Sequence, residues 1–293
     1  MKSTLGLVLF TAILSVAASP FQEPPGGGLK LQRPKFKKGD IIISKTLIEV
    51  VDAKLSSPNI PKKDEIRISF RLRDTKLTEI TATDDGGAIS EIEENILVSM
   101  IETKMTGKIE GKEINRGENN SLPLDDSTIR YSQKKGVWVG RLTEGETTKE
   151  FEDLLDGYLA PDEESFLPEK PVGLGQSWTL KGAKLRKYAP GALKFNGSGE
   201  FSFEKVVKLN GRDHALVKGV CELDFTTLDE NQNELRNRTI TNINIWIDIQ
   251  TGLETEAKGK GTIITEGAFG EIKDTKLTGP QVINVSRQLL RRP

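Results

Sequence analysis

Few residues of this chain can carry chemistry, and their types narrow it further. His214 is the only histidine, so any histidine-based proton shuttle would have to use it. It falls on the polar phase of a strand pattern, opposite the face of Cys221, and is expected to be an exposed shoulder residue of a hairpin. Cys221 is the only cysteine. An intramolecular disulfide is therefore impossible, and its place on an apolar phase reads as a small buried hydrophobe. A zinc site needs several Cys, His or carboxylate ligands in a compact arrangement, so no metal is expected.

Asp229-x-Asn231-x-Asn233 copies the first positions of an EF-hand loop. The copy then fails, because Glu234 stands where glycine is required and Ile240 where the bidentate glutamate belongs. A polar hairpin corner is the simpler reading. The acidic stretch from Glu144 to Glu164, with Asp153, Asp156, Asp162 and Glu163, reads as a solvated face. Gly173-x-Gly175 lacks a third glycine and precedes a strand pattern, so it is no dinucleotide motif. There is no Gly-x-Ser-x-Gly elbow. Among 43 acidic residues some carboxylate pair will always approach, which leaves a hydrolase using surface carboxylates as a third-ranked alternative. With 3 Trp and 3 Tyr, aromatic sugar platforms are sparse. The expected catalytic set is none, the chain is read as not an enzyme, and no cofactor is expected.

The elements that would position any site are strands. Ile41 to Val51 is a continuous β-branched run, as in a central strand or one covered on both sides. In Glu65 to Arg73, Ile66, Ile68, Phe70 and Leu72 alternate with Arg67, Ser69, Arg71 and Arg73, which predicts a half-buried strand. Lys76 to Thr83 is expected to pair with it and to end in the turn Asp84-Asp85-Gly86-Gly87. Ile89 to Met105 fits either a helical face or a strand, and its meander context favours the strand. Thr128 to Arg141 reads as two short strands, and Glu150 to Tyr158 as a short helix. Five segments follow from Gly197 to Ser286, with corners at Asn210-Gly211, Asp229 to Asn233, Gln250-Thr251-Gly252 and Glu266-Gly267. Ala215, Val217, Gly219, Cys221, Leu223 and Phe225 share one face. Ile243, Ile245, Ile247 and Ile249 share another, with Thr255, Ala257, Gly259 and Gly261 in the matching phase. The expected fold is mainly β: long antiparallel meandering strands in two curved sheets or half-barrels, with at most one or two short helices.

The chain's domain plan follows. Residues 1–18 have the basic start, apolar run and small-residue site of a secretory signal peptide. Residues 19–39 read as a flexible Pro/Gly-rich leader, 40–160 as an N-terminal β lobe, 161–178 as a connector and 179–293 as a C-terminal β lobe. The net charge of −1, or −2 once Lys2 is lost with the signal, suggests no nucleic-acid partner. No later stretch is apolar enough for a transmembrane segment. The expected product is exported, periplasmic or extracellular, and soluble. The Asn-x-Ser/Thr sequons at Asn119, Asn196, Asn237 and Asn284 read as chance in that setting.

The connector carries the most distinctive wording. Pro168 and Pro171 favour extended geometry, Gly173 and Gly175 allow a turn, and Trp178 opens a strand. Pro168, Pro171, Val172, Gly173 and Trp178 are expected to form a structural clamp between the halves, with Trp178 buried beside Val172 and Leu174. This Leu-Pro-x-Lys-Pro-Val-x-x-Gly-x-x-Trp segment, with the later Trp246-Ile247-Asp248-x-x-Thr251-Gly252-Leu253, resembles an uncharacterised family of exported, β-rich bacterial proteins common in planctomycete-like genomes. The resemblance implies topology and compartment and brings no catalytic residues. Together these features suggest a non-catalytic binding or carrier module for a lipid or other apolar or amphipathic ligand. The alternative is a structural or protein-interaction component of the cell envelope.

Overall fold

The computed structural model describes residues 29–61, 64–85, 87–109, 111–144, 155, 161, 165–168, 170–189, 192–228, 233–269 and 272–291. The strands are β1 (Lys30–Leu31), β2 (Ile41–Ser56), β3 (Ile66–Thr83), β4 (Ile89–Ile109), β5 (Lys112–Ser121), β6 (Ser127–Lys134) and β7 (Val137–Leu142). They continue as β8 (Val172–Gly173), β9 (Ser177–Lys181), β10 (Lys194–Leu209), β11 (Arg212–Leu228), β12 (Glu234–Asp248), β13 (Glu254–Phe269) and β14 (Ile272–Leu290). A 3-10 turn over Gly182–Tyr188 follows β9.

Among the described residues the fold is mainly β and antiparallel, in one sheet of 12 strands and one of two, neither closed into a barrel. The halves do not form a sheet each. β14 pairs with β2, so the large sheet runs β7-β6-β4-β3-β2-β14-β13-β12-β11-β10-β9, with β5 beside β4. The small sheet is β1 with β8. Strands β10 to β14 form an up-and-down meander. Its first hairpin turns at Asn210-Gly211, both residues at positive φ (49° and 80°), the geometry of a type I′ turn.

Alternation decides the faces. On β3, Ile66, Ile68, Phe70 and Leu72 point inward and Arg67, Ser69, Arg71 and Arg73 outward. The residues from Lys76 to Thr83 continue this same strand rather than forming a partner to it. Ile89 to Met105 lies within one 21-residue strand, β4. β2 is central in the sheet but is not covered on both faces: Ile42, Ile48 and Val50 are buried, whereas Val51 is exposed. Its continuous β-branched run reflects strand preference rather than two-sided burial.

β-Bulges bend the sheet. Register shifts fall between β2 and β3, β3 and β4, β10 and β11, β12 and β13, β13 and β14, and β14 and β2. One of them revises the expected phase on β13. Glu254, not Thr255, sits opposite Ile247, and Ala257, Gly259 and Gly261 then keep the inward phase. Gly267 is no corner either. It lies inside β13 at φ 154°, where its backbone passes close to the Glu234 carbonyl.

The leader departs from its expected role. Residues 1–28 lie outside the described residues, but 29–36 are packed. Leu31 is buried in the main core, Phe36 is buried against β2, β3, β4, β6 and β7, and Arg33 Nε donates to the Leu167 carbonyl at 3.0 Å. Two large apolar side chains within six residues anchor a segment that proline and glycine alone would leave mobile. The helix expected over 150–158 lies outside the described residues except for Leu155, which is buried with Trp138 and Tyr131.

Candidate binding surfaces

The inner face of the C-terminal meander is a core covered by its own chain. Phe166, Leu167, Val172, Leu185, Tyr188 and Ala192 pack with Phe201, Phe203, Val217, Cys221, Ile243 and Ile245 in one cluster. The connector is therefore a strap over this sheet. Val172 is buried and pairs with Leu31, and Gly173 pairs with Lys30. Pro168 is partly exposed and Pro171 exposed. Trp178 lies on edge strand β9, half-buried, with Nε1 donating to the Phe166 carbonyl at 2.7 Å and its ring stacked on Phe201 at 6.0 Å. It thus ties the strap to the sheet, but it is half-buried where full burial was expected, and Leu174 is exposed.

His214 and Cys221 stand apart. His214 is buried, not the exposed shoulder expected, because its strand neighbours Leu216 and Asp248 are buried with it, and its Nδ1 lies 3.1 Å from the Arg212 carbonyl. Cys221 is a buried thiol, in no disulfide, on the opposite, apolar face. Of the Asp229-to-Asn233 corner, only Asn233 is described. Among the described residues no group of three or more His, Cys, Asp or Glu could hold a metal ion.

Polar groups interrupt the inner face, among them two clusters built around the buried carboxylates of Glu254 and Glu94. Tyr188 Oη donates to Glu254 Oε1 at 3.3 Å, and burial together with the Glu254 carboxylate pushes the phenol well above its ordinary pKa. Lys76 Nζ and Thr78 Oγ1 both donate to buried Glu94 Oε1, at 3.0 and 3.1 Å. Next to them burial raises the pKa of Asp74; Lys76 opposes the shift, Glu94 adds to it and a Ser99 hydrogen bond opposes it. These groups are tied to one another on a packed face.

The open surface is on the other side. A hollow of about 450 Å³ lies on the outer face of β9 to β12, lined by Ser177, Glu200, Ser202, Glu204, Lys218, Val220, Asn242 and Asn244, with Phe201, Gly219 and Ile243 at its floor. A second, of about 290 Å³, lies on the outer face of β13, β14, β2 and β3, between Lys45, Leu47, Arg73, Thr75, Glu256, Lys258, Asn284 and Ser286. Each mixes amide, hydroxyl and charged groups with a few apolar ones. Alternating polar residues on the outward phase gave no warning of a hollow.

No helix among the described residues is long and apolar enough to cross a membrane. No family model matches the chain. No curated protein matches it. Among solved structures it overlaps lipovitellin, described by its lipid–protein interactions, at a TM-score of 0.43 and 9% identity over 88% of this chain. The overlap spans 26% of lipovitellin's length. It overlaps the outer membrane protein OprG of Pseudomonas aeruginosa at a TM-score of 0.19, 11% identity, 86% of this chain and 95% of that one. The corresponding figures for an outer membrane channel of Pseudomonas putida F1 are 0.24, 7%, 92% and 100%. Likeness at these TM-scores carries no functional inference.

Proposed function

We propose that this chain is an exported, non-catalytic binding module for an amphipathic ligand. One observation carries the reading: the 450 Å³ hollow on the outer face of β9 to β12, which sets Val220 among the Asn242 and Asn244 amides and the Glu204 and Lys218 charges. Its volume falls within the range of small-ligand sites, and its mixed lining suits a molecule with both apolar and hydrogen-bonding faces. The inner apolar face is filled by the strap, so in this reading the inner face supplies stability and the outer face supplies recognition. Export rests on the signal-like residues 1–18 of the sequence.

Native mass spectrometry of the protein purified from its own exported fraction tests this. A bound small molecule should accompany the wild type and be lost from Asn244→Trp, which fills the hollow, while the melting temperature stays unchanged. A wild type with no bound molecule, or one retained by the variant, contradicts the proposal.

A further inference from the structure

Strand register places the two outer hollows side by side on the sheet. Lys218 pairs with Asn244, Asn244 with Lys258, Lys258 with Asn284, Asn284 with Leu47, and Leu47 with Arg73. The first hollow ends on Asn244 and the second begins on Lys258, its direct neighbour. Six strands at about 4.8 Å spacing make a track roughly 24 Å long that crosses the sheet. We infer that this track binds an extended, uncharged polyhydroxylated chain, a glycan of several sugar units. The inference rests on the reading of the outer face as the binding face.

Three features select that chemistry. Asn242, Asn244 and Asn284 have no side-chain hydrogen-bond partner among the described residues. Asparagine is disfavoured in strands, so three free amides on β12 and β14 gain the fold nothing. Each amide offers a carbonyl acceptor and an N–H donor pair, the complement of sugar hydroxyls.

Three cations along the track are each paired with a carboxylate. Lys218 lies 4.0 Å from Glu204, Lys258 lies 2.8 Å from Glu256, and Arg73 lies 3.2 Å from Glu102. A polyanion would have to compete with these carboxylates for the three cations, whereas a neutral chain need not. The apolar side chains of Val220 and Leu47 give the carbon faces of sugar rings a surface in each hollow. An extended peptide, by contrast, gains most by adding to a strand edge. This track runs across strands whose backbone groups are already spent on the ladder.

Calorimetric titration with cellohexaose and chitohexaose, both neutral, and with a heparin hexasaccharide as the anionic comparator, tests the class. The expected result is saturable binding of a neutral hexasaccharide that survives high salt and weakens about tenfold or more in Asn244→Ala/Asn284→Ala, a loss of about 1.4 kcal/mol. The melting temperature of that variant should be unchanged, since both amides lack partners. Binding of the heparin hexasaccharide alone, abolished by salt, overturns the inference, as does failure of both neutral chains to bind. If neither binds while native mass spectrometry still shows a molecule lost from Asn244→Trp, the ligand class falls and the binding module stands. If that molecule is absent too, both fall.

Discussion

Ile243 of β12 stands directly opposite Gly259 of β13, and the space beside the glycine is already occupied. A Cβ built on Gly259 would lie 2.8 Å from the Thr241 methyl and 3.4 Å from Ile283 Cβ. The large-against-small pairing on this hairpin is thus met by packing of neighbouring side chains. Gly259 does not have positive φ, so backbone conformation does not require it. Gly259→Leu should overpack the face and cost about 1–3 kcal/mol in a urea titration. A variant as stable as the wild type would mean that room exists there after all.

Trp178 should behave as a strap anchor of intermediate weight. Trp178→Ala removes the stack on Phe201 and the hydrogen bond to Phe166, and at half burial should cost about 2–3 kcal/mol, below the 3–5 of a fully buried aromatic. Trp178→Phe keeps the ring and should cost about 1 kcal/mol, the share of the hydrogen bond. Equal losses in the two variants would show that the ring contact adds nothing.

Thr241 and Gln281 face each other across Gly261. Thr241 Oγ1, Gln281 Oε1 and nearby Thr239 Oγ1 are buried with no partner among the described residues. Thr241→Val removes one such group at nearly constant shape. It should raise stability by about 1 kcal/mol, by relief of an uncompensated polar burial. A loss of stability on chemical denaturation would mean that the hydroxyl has a partner.

Asp74 gives a pH-dependent expectation. Burial raises its folded pKa above the unfolded value of 3.8, so the folded state holds that proton more tightly. The sign is that of a destabilising ionisation: no penalty below the unfolded pKa, and a growing one as pH rises through the folded pKa. Asp74→Asn should therefore be more stable than wild type near neutral pH, with the gain fading as pH falls towards 3.8. Denaturant titrations at several pH values measure it. A variant less stable at neutral pH would show that attraction from Lys76 outweighs burial.

The strands were legible because period-two patterning is local. Ile66 to Leu72 and Ala215 to Phe225 each declared their buried faces residue by residue. Asn210-Gly211 declared its turn for the same reason. What was not legible was non-local. The pairing of β14 with β2, which fuses the halves, joins residues more than 200 positions apart. The bulge that puts Glu254 opposite Ile247 shifts phase by one residue without any glycine or proline to mark it. Leu31 and Phe36 looked like isolated hydrophobes in a proline- and glycine-rich leader, and only their partners on other segments give them a place. The outer hollows had the faintest signal: Asn242 and Asn244 on the polar phase of an isoleucine strand, where any polar residue would serve.

The division of labour between the two faces is the central claim. It is tested most directly by methyl NMR of the protein titrated with a soluble extract of its own cell envelope. The account predicts shifts concentrated at Leu47 and Val220 on the outer face, with Ile48, Leu72 and Ile283 on the inner face unmoved. Shifts centred on the inner-face methyls, or none on either face, would contradict it.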